Sequence, residues 1–208
     1  METVKELTAR FPELRNCADA IERSASLLIE AFRAGGTLFT CGNGGSSADA
    51  DHIVGELAKG FRKKRPLSEE MRKKLDGYDP SGLLSSSLQD ALPAVSLHSQ
   101  SALLTAYLND CSAPAVYAQA LLSLGRPGSV LLAISTSGNS ENVVLAAKTA
   151  KALGMKVIAL TGASPCALDP LSDAAVHVGA SETYRIQELH LPVYHWLCAR
   201  VEEEFFPV

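Results

Sequence analysis

No two of the five cysteines (Cys17, Cys41, Cys111, Cys166 and Cys198) form a C-x-x-C pair, and their number is odd. A disulfide framework is thereby excluded, and a reducing, cytoplasmic setting is expected. No apolar run approaches the roughly 20 residues that cross a bilayer, so no membrane partner is expected. The opening METVKELTARFPELRN is charged and helical in pattern, unlike a signal peptide. Positive charge is not in excess either; a formal net charge of −4 gives nucleic acid no footprint. No solenoid repeat is found. What is there is ordinary for a soluble globular protein, with 47% hydrophobic and 20% charged residues. A chain of 208 residues suits one well-buried domain and is short for two.

Apolar residues at three- and four-residue steps, from Leu7 to Phe32, predict one helix over 3–34, stopped by Gly35-Gly36. Thr37–Cys41 reads as a strand. Gly42-Asn43-Gly44-Gly45-Ser46-Ser47 follows at once, then a helix to about 60. The same grammar returns at 129–134 (strand), Ser135-Thr136-Ser137-Gly138-Asn139-Ser140 (turn) and 141–153 (an Ala-rich helix ending at Gly154). Strands are also predicted at 93–97, 156–161 and 174–178, and helices at 101–109 and 183–204. Strands alternating with helices predict an α/β fold, a mostly parallel five-stranded sheet covered on both faces in a three-layer αβα sandwich. The basic, turn-rich segment 59–92 reads as a solvated surface excursion or as a lid or subunit contact near an anionic substrate.

Two Gly/Ser loops therefore stand where strands end and helices begin. Helix N-termini there offer free N–H groups and a positive dipole end, which suit phosphate. Ser135, Thr136, Ser137 and Ser140 add hydroxyls. No lysine follows either loop in Walker A spacing, which favours a sugar phosphate over a nucleoside triphosphate. Taken singly, each loop also fits a plain helix cap; two together favour phosphate. His52 and Glu56 lie four apart on the first helix and share a face, a spacing that suits a metal or a surface hydrogen bond. The last helix carries Gln187, His190 and His195. Their spacing alone does not choose between the two histidines.

Cys41–Ser46, His52-x-x-x-Glu56, Ile134–Ser140 and Arg185-Ile186-Gln187-Glu188-x-His190 together resemble the sedoheptulose-7-phosphate (phosphoheptose) isomerases of the SIS family, over roughly 1–62 and 93–204. The resemblance implies one SIS domain over 1–208, a helical segment 1–34 used in oligomerisation, and an insertion at about 67–92. By the same resemblance Asn43, Gly44, Gly45 and Ser46 form the first substrate loop, and Ser135, Thr136, Ser137 and Ser140 the phosphate cradle. His52, Glu56, Gln187 and His195 would hold one zinc ion, with Gln187 also facing substrate and His190 the alternate to His195. A homotetramer with active sites between subunits is implied. So is isomerisation of sedoheptulose 7-phosphate to a heptose 7-phosphate through an enediol. Glu56 is the expected base and His195 the acid/base on the sugar oxygens. Two positions depart from the family pattern. Gln100, beside Ser99, replaces a usual aspartate among the substrate contacts, and Gly60 stands where some members carry arginine. A DnaA-binding initiation regulator of the same fold is the non-catalytic alternative; it lacks the counterparts of Glu56 and His195, and this chain keeps both. An isomerase for another sugar phosphate is the second alternative.

Overall fold

The computed structural model describes residues 2–207. Five strands pair in one all-parallel sheet: β1 (Leu38–Cys41), β2 (Ala94–Ser96), β3 (Val130–Ile134), β4 (Lys156–Thr161) and β5 (Ala174–His177). Their order is β2-β1-β3-β4-β5. Successive residues of a strand point to opposite faces, and here both faces are covered, so the strands read as unbroken apolar runs. Val130, Leu132 and Ile134 of β3 pack on one side with α2 (Ala18–Arg33), α3 (Gly45–Ala58) and α9 (Thr183–Phe205). Leu131 and Ala133 pack on the other with α7 (Val116–Leu124) and α8 (Glu141–Ala152). This is the predicted three-layer sandwich.

The single helix predicted over 3–34 is in fact three pieces. A capping box formed by Thr3 and Glu6 starts α1 (Val4–Arg10), a 3-10 turn runs from Pro12 to Cys17, and α2 follows. Pro12 offers no N–H and disfavours helical backbone at the residue before it, and Phe11 stands at φ −125°, ψ 82°. Leu7, Leu14, Ile21, Ala25 and Leu28 are nonetheless all buried. The periodicity reported a buried face correctly and its continuity wrongly.

A helix not anticipated from the sequence, α7, carries no charged residue and covers Leu121 completely. Between β1's helix and β2, α4 (Glu69–Tyr78) and α5 (Leu83–Ser87) bury nothing. Their base is closed by an antiparallel bridge between Pro66 and Gln89. Surface pairs Glu69–Lys73 and Glu70–Lys74 run along α4. In the single chain the segment is thus exposed on the surface, as both readings of it require. After β2, α6 (Ser101–Asp110) leads back toward α7. All five cysteines are unpaired, and among the described residues no helix is long and apolar enough to cross a membrane.

Candidate active site

The chain leaves β1 through α3 toward β2 at one edge, and leaves β3 through α8 toward β4 and the other edge. The strand order therefore reverses between β1 and β3, where ligands bind in open α/β sheets. Both Gly/Ser loops open at that point. Gly44, at φ 56° and ψ −122°, turns the chain into α3 in a conformation that favours glycine. The two loops are tied by a reciprocal pair of amide hydrogen bonds between Asn43 and Asn142, each 2.9 Å. The Tyr117 hydroxyl donates to the Gly42 carbonyl at 2.7 Å and lies 3.2 Å from Asn43 Oδ1. Asn43 is thus held as a brace. In the second loop Ser135 and Ser140 pair through their hydroxyls at 3.0 Å, and Ser137 Oγ accepts from the Asn139 amide at 3.2 Å. The Thr136 carbonyl accepts from Gly162 at 3.0 Å. Gly138, at φ 64°, leaves room for the Cys166 side chain, and Asn139 Oδ1 accepts from the Ala167 amide at 2.9 Å.

Farther along α3 from the first loop, α3 and α9 bring titratable groups together. His52 Nε2 lies 3.1 Å from Glu56 Oε1, and Lys59 Nζ lies 3.1 Å from the other Glu56 oxygen. His52 Nδ1 faces the Tyr194 hydroxyl at 3.0 Å, which in turn donates to Asp49 Oδ1 at 3.3 Å. With Tyr194 donating onward, both His52 nitrogens face acceptors. The His195 ring stands edge-on to His52, with centroids 5.1 Å apart, and tilts against Phe61 at 5.5 Å. Its Nε2 is buried without a partner. Burial, and secondarily His52, push the His195 imidazole below its ordinary value, while Glu56 pulls the other way. Burial raises Asp49 against the opposing influence of Tyr194 and His52.

The structure brings His195, not His190, to His52. His190 is fully buried, and neither of its nitrogens has a hydrogen-bond partner. Gln187 lies over the first loop: a Cβ on Gly45 would stand 2.6 Å from its Nε2. Ser46 is buried at the first turn of α3. Ser99 and Gln100 follow β2, next to His98, whose Nε2 lies 2.9 Å from Asp51 Oδ2 on α3. The Ser99 hydroxyl donates to the Ser96 carbonyl at 2.7 Å, and Gln100 is the exposed N-cap of α6. Among the described residues no three His, Cys, Asp or Glu side chains converge in metal-holding geometry.

The SIS domain family is matched over residues 2–77 and 78–162. The chain is 36% identical over 193 residues to the phosphoheptose isomerase of Rhodospirillum rubrum, covering 93% of this chain and 90% of that one. It is similar in structure to phosphoheptose isomerase GmhA from Neisseria gonorrhoeae, with TM-score 0.72, 30% identity, and 96% and 98% of the two chains covered. A phosphoheptose isomerase from Francisella tularensis gives TM-score 0.72 at 28% identity, covering 98% and 100%. The chain belongs to the phosphoheptose isomerase family of SIS-domain proteins.

Within that family's frame, Gly60 has a local cause. A Cβ there would collide with the Lys63 carbonyl and stand 2.8 Å from Gln89 Oε1, which accepts the Gly60 amide at 2.9 Å. No arginine fits that turn as it is folded here. Three residues of the site escaped the sequence reading. Asn142 follows the second loop by two residues, a position from which an amide can reach back across it. Tyr117 lies on the unanticipated α7. Tyr194 precedes His195, and nothing in its spacing tells that its hydroxyl reaches α3.

Proposed function

We propose that this protein isomerises sedoheptulose 7-phosphate to D-glycero-D-manno-heptose 7-phosphate, an early step toward nucleotide-activated heptoses. The observation that carries the reading is the gathering of His52, Glu56 and His195 between α9 and the helix that leaves the first Gly/Ser loop, in a chain of this family. The seven-carbon phosphate would lie with its phosphoryl group against Ser135, Thr136, Ser137 and Ser140. Asn43, Gly44, Gly45 and Ser46, with Gln187, would bound the sugar. Glu56 lifts the proton from C1 and returns it to C2 through an enediol. An acid/base group passes protons between the two oxygens, and His195 Nε2 is the atom free to do so. Gln100, with Ser99, is assigned to a sugar hydroxyl; it can hydrogen-bond there and cannot act as a base.

Two imidazoles, a carboxylate and an amide form a donor set that suits zinc, and the unpartnered His195 Nε2 fits it. We assign His52, Glu56, Gln187 and His195 as the residues that would hold one zinc ion. Such an ion would polarise the carbonyl and favour negative charge on oxygen. One nitrogen cannot both ligate metal and carry the shuttled proton, so the two assignments of His195 are separable by experiment. An open cleft of about 900 Å³ between α1 and α9 ends at His195. It supports a homotetramer whose neighbouring subunits complete the site, which light scattering would test. The unpaired cysteines support a cytoplasmic protein.

The test is to incubate the protein with sedoheptulose 7-phosphate, with zinc or with chelator, and to follow the sugar by NMR. An aldoheptose 7-phosphate that disappears with chelator supports isomerisation with working zinc. Product in both conditions leaves His195 to acid/base chemistry and removes the metal. No product from this ketose, with turnover of a five- or six-carbon ketose phosphate, reassigns the substrate; no turnover of any of them rejects the enzyme.

A further inference from the structure

We propose that the buried Arg65–Glu202 pair is a positioning device, holding the base on α3 and the acid/base on α9 in fixed relation; the proposal rests on the isomerase reading above. The two side chains are 0% and 1% exposed and meet at 2.8 Å between Arg65 Nε and Glu202 Oε1. The remaining donors of Arg65 reach the Leu57 carbonyl at 2.7 Å and the carbonyl of Glu56 itself at 3.1 Å. These belong to the last turn of α3, whose carbonyls have no helical partner of their own. Glu202 in turn accepts the amides of Phe61 and Arg62, each at 2.8 Å. The turn after α3 is therefore hung between the end of that helix and α9.

Glu202 lies seven residues, two helical turns, beyond His195 and on the same side of α9. Its two amide bonds fold the chain back so that the Phe61 ring rests on the His195 imidazole. One guanidinium and one carboxylate thus connect the backbone of Glu56 to the ring of His195 without either touching substrate. A buried ion pair adds little net stability over apolar side chains of the same volume. Here the donors and acceptors are arranged to fix a turn. Misplacement of a catalytic group by about 1 Å can lower a rate about 10²-fold, so the geometry is where the pair acts.

The experiment compares wild type, Glu202→Gln, Arg65→Lys, Phe61→Ala and the Glu202→Gln/Phe61→Ala double variant. Each is assayed on sedoheptulose 7-phosphate well below its melting temperature, and amide exchange is read at Phe61 and Arg62. The expected result is kcat lowered about 10- to 100-fold, with KM within about threefold. Glu202→Gln should show faster exchange at the two amides. Phe61→Ala leaves the buried pair intact and keeps the test open if the pair variants fold poorly; it should reproduce the kcat loss. The double variant should lose scarcely more than either single, because both act through the ring on His195. Wild-type kcat in Phe61→Ala, or in Glu202→Gln once its amides exchange freely, overturns the proposal. A wild-type protein that turns over no ketose phosphate overturns the isomerase reading, and the proposal with it.

Discussion

On the layer built by α2, α3 and α9, the buried residues include Ser24, Arg65, His190 and Glu202 among the aliphatic side chains. On the layer built by α7 and α8 they are Val116, Tyr117, Ala120, Leu121, Val143, Ala146, Ala147 and Ala150, with Tyr117 the one that carries a hydroxyl. Both layers rest on the same five strands. The first buries polar groups, which is costly unless they are hydrogen-bonded, and it offsets that cost through bonds such as those of Arg65 and Glu202. The second uses small side chains that let helix and strand approach closely. The comparison teaches a division of labour: one layer gathers the titratable groups, and the other braces both loops, through Tyr117 of α7 and Asn142 of α8.

The comparison breaks most sharply at Glu56. Glu56→Gln is expected to lower turnover about 10²- to 10⁴-fold, with melting within a few degrees of wild type; activity near wild type would remove Glu56 as the base. His190 comes next. Burial pushes its imidazole down to about 4. The unfolded chain, with an ordinary histidine near 6.5, then binds more protons between these values. Stability is thus full above about 6.5 and falls as pH drops toward 4, by about 3 kcal/mol over that window. Urea unfolding across the range should show the slope in wild type and a flatter profile in His190→Leu. The smallest effect is expected on the alanine layer. Ala147→Leu overfills a site with no exposed surface and should cost about 1–3 kcal/mol, read as a lower denaturation midpoint. The KM of the folded enzyme should be unchanged; a raised KM would show that the second layer also shapes the site.

Much of this was legible beforehand. Five apolar runs gave five strands, and Gly35, Gly44 and Gly154 marked real turns, because backbone freedom at glycine is a local property. Pro12 was equally local evidence for a break after α1; the strong three- and four-residue periodicity obscured it. α7 was missed although its nine residues are almost wholly apolar. A short apolar run of that kind does not reveal its own type.

His52 and Glu56 share a helix, so their four-residue spacing placed them together. His190 and His195 share one too, yet spacing could not say which faces α3 and which the core, because that depends on how α9 is rotated against the sheet. The brace from Asn142 to Asn43, the reach of Tyr194 to Asp49, and the Arg65–Glu202 pair join residues 99, 145 and 137 positions apart. The sequence by itself determined the strands, the two Gly/Ser loops and the spacing within each helix, since these follow from neighbours along the chain. Only the tertiary structure decided which histidine meets His52, why Gly60 must be glycine, and which buried charges pair, since these depend on surfaces that meet only after packing.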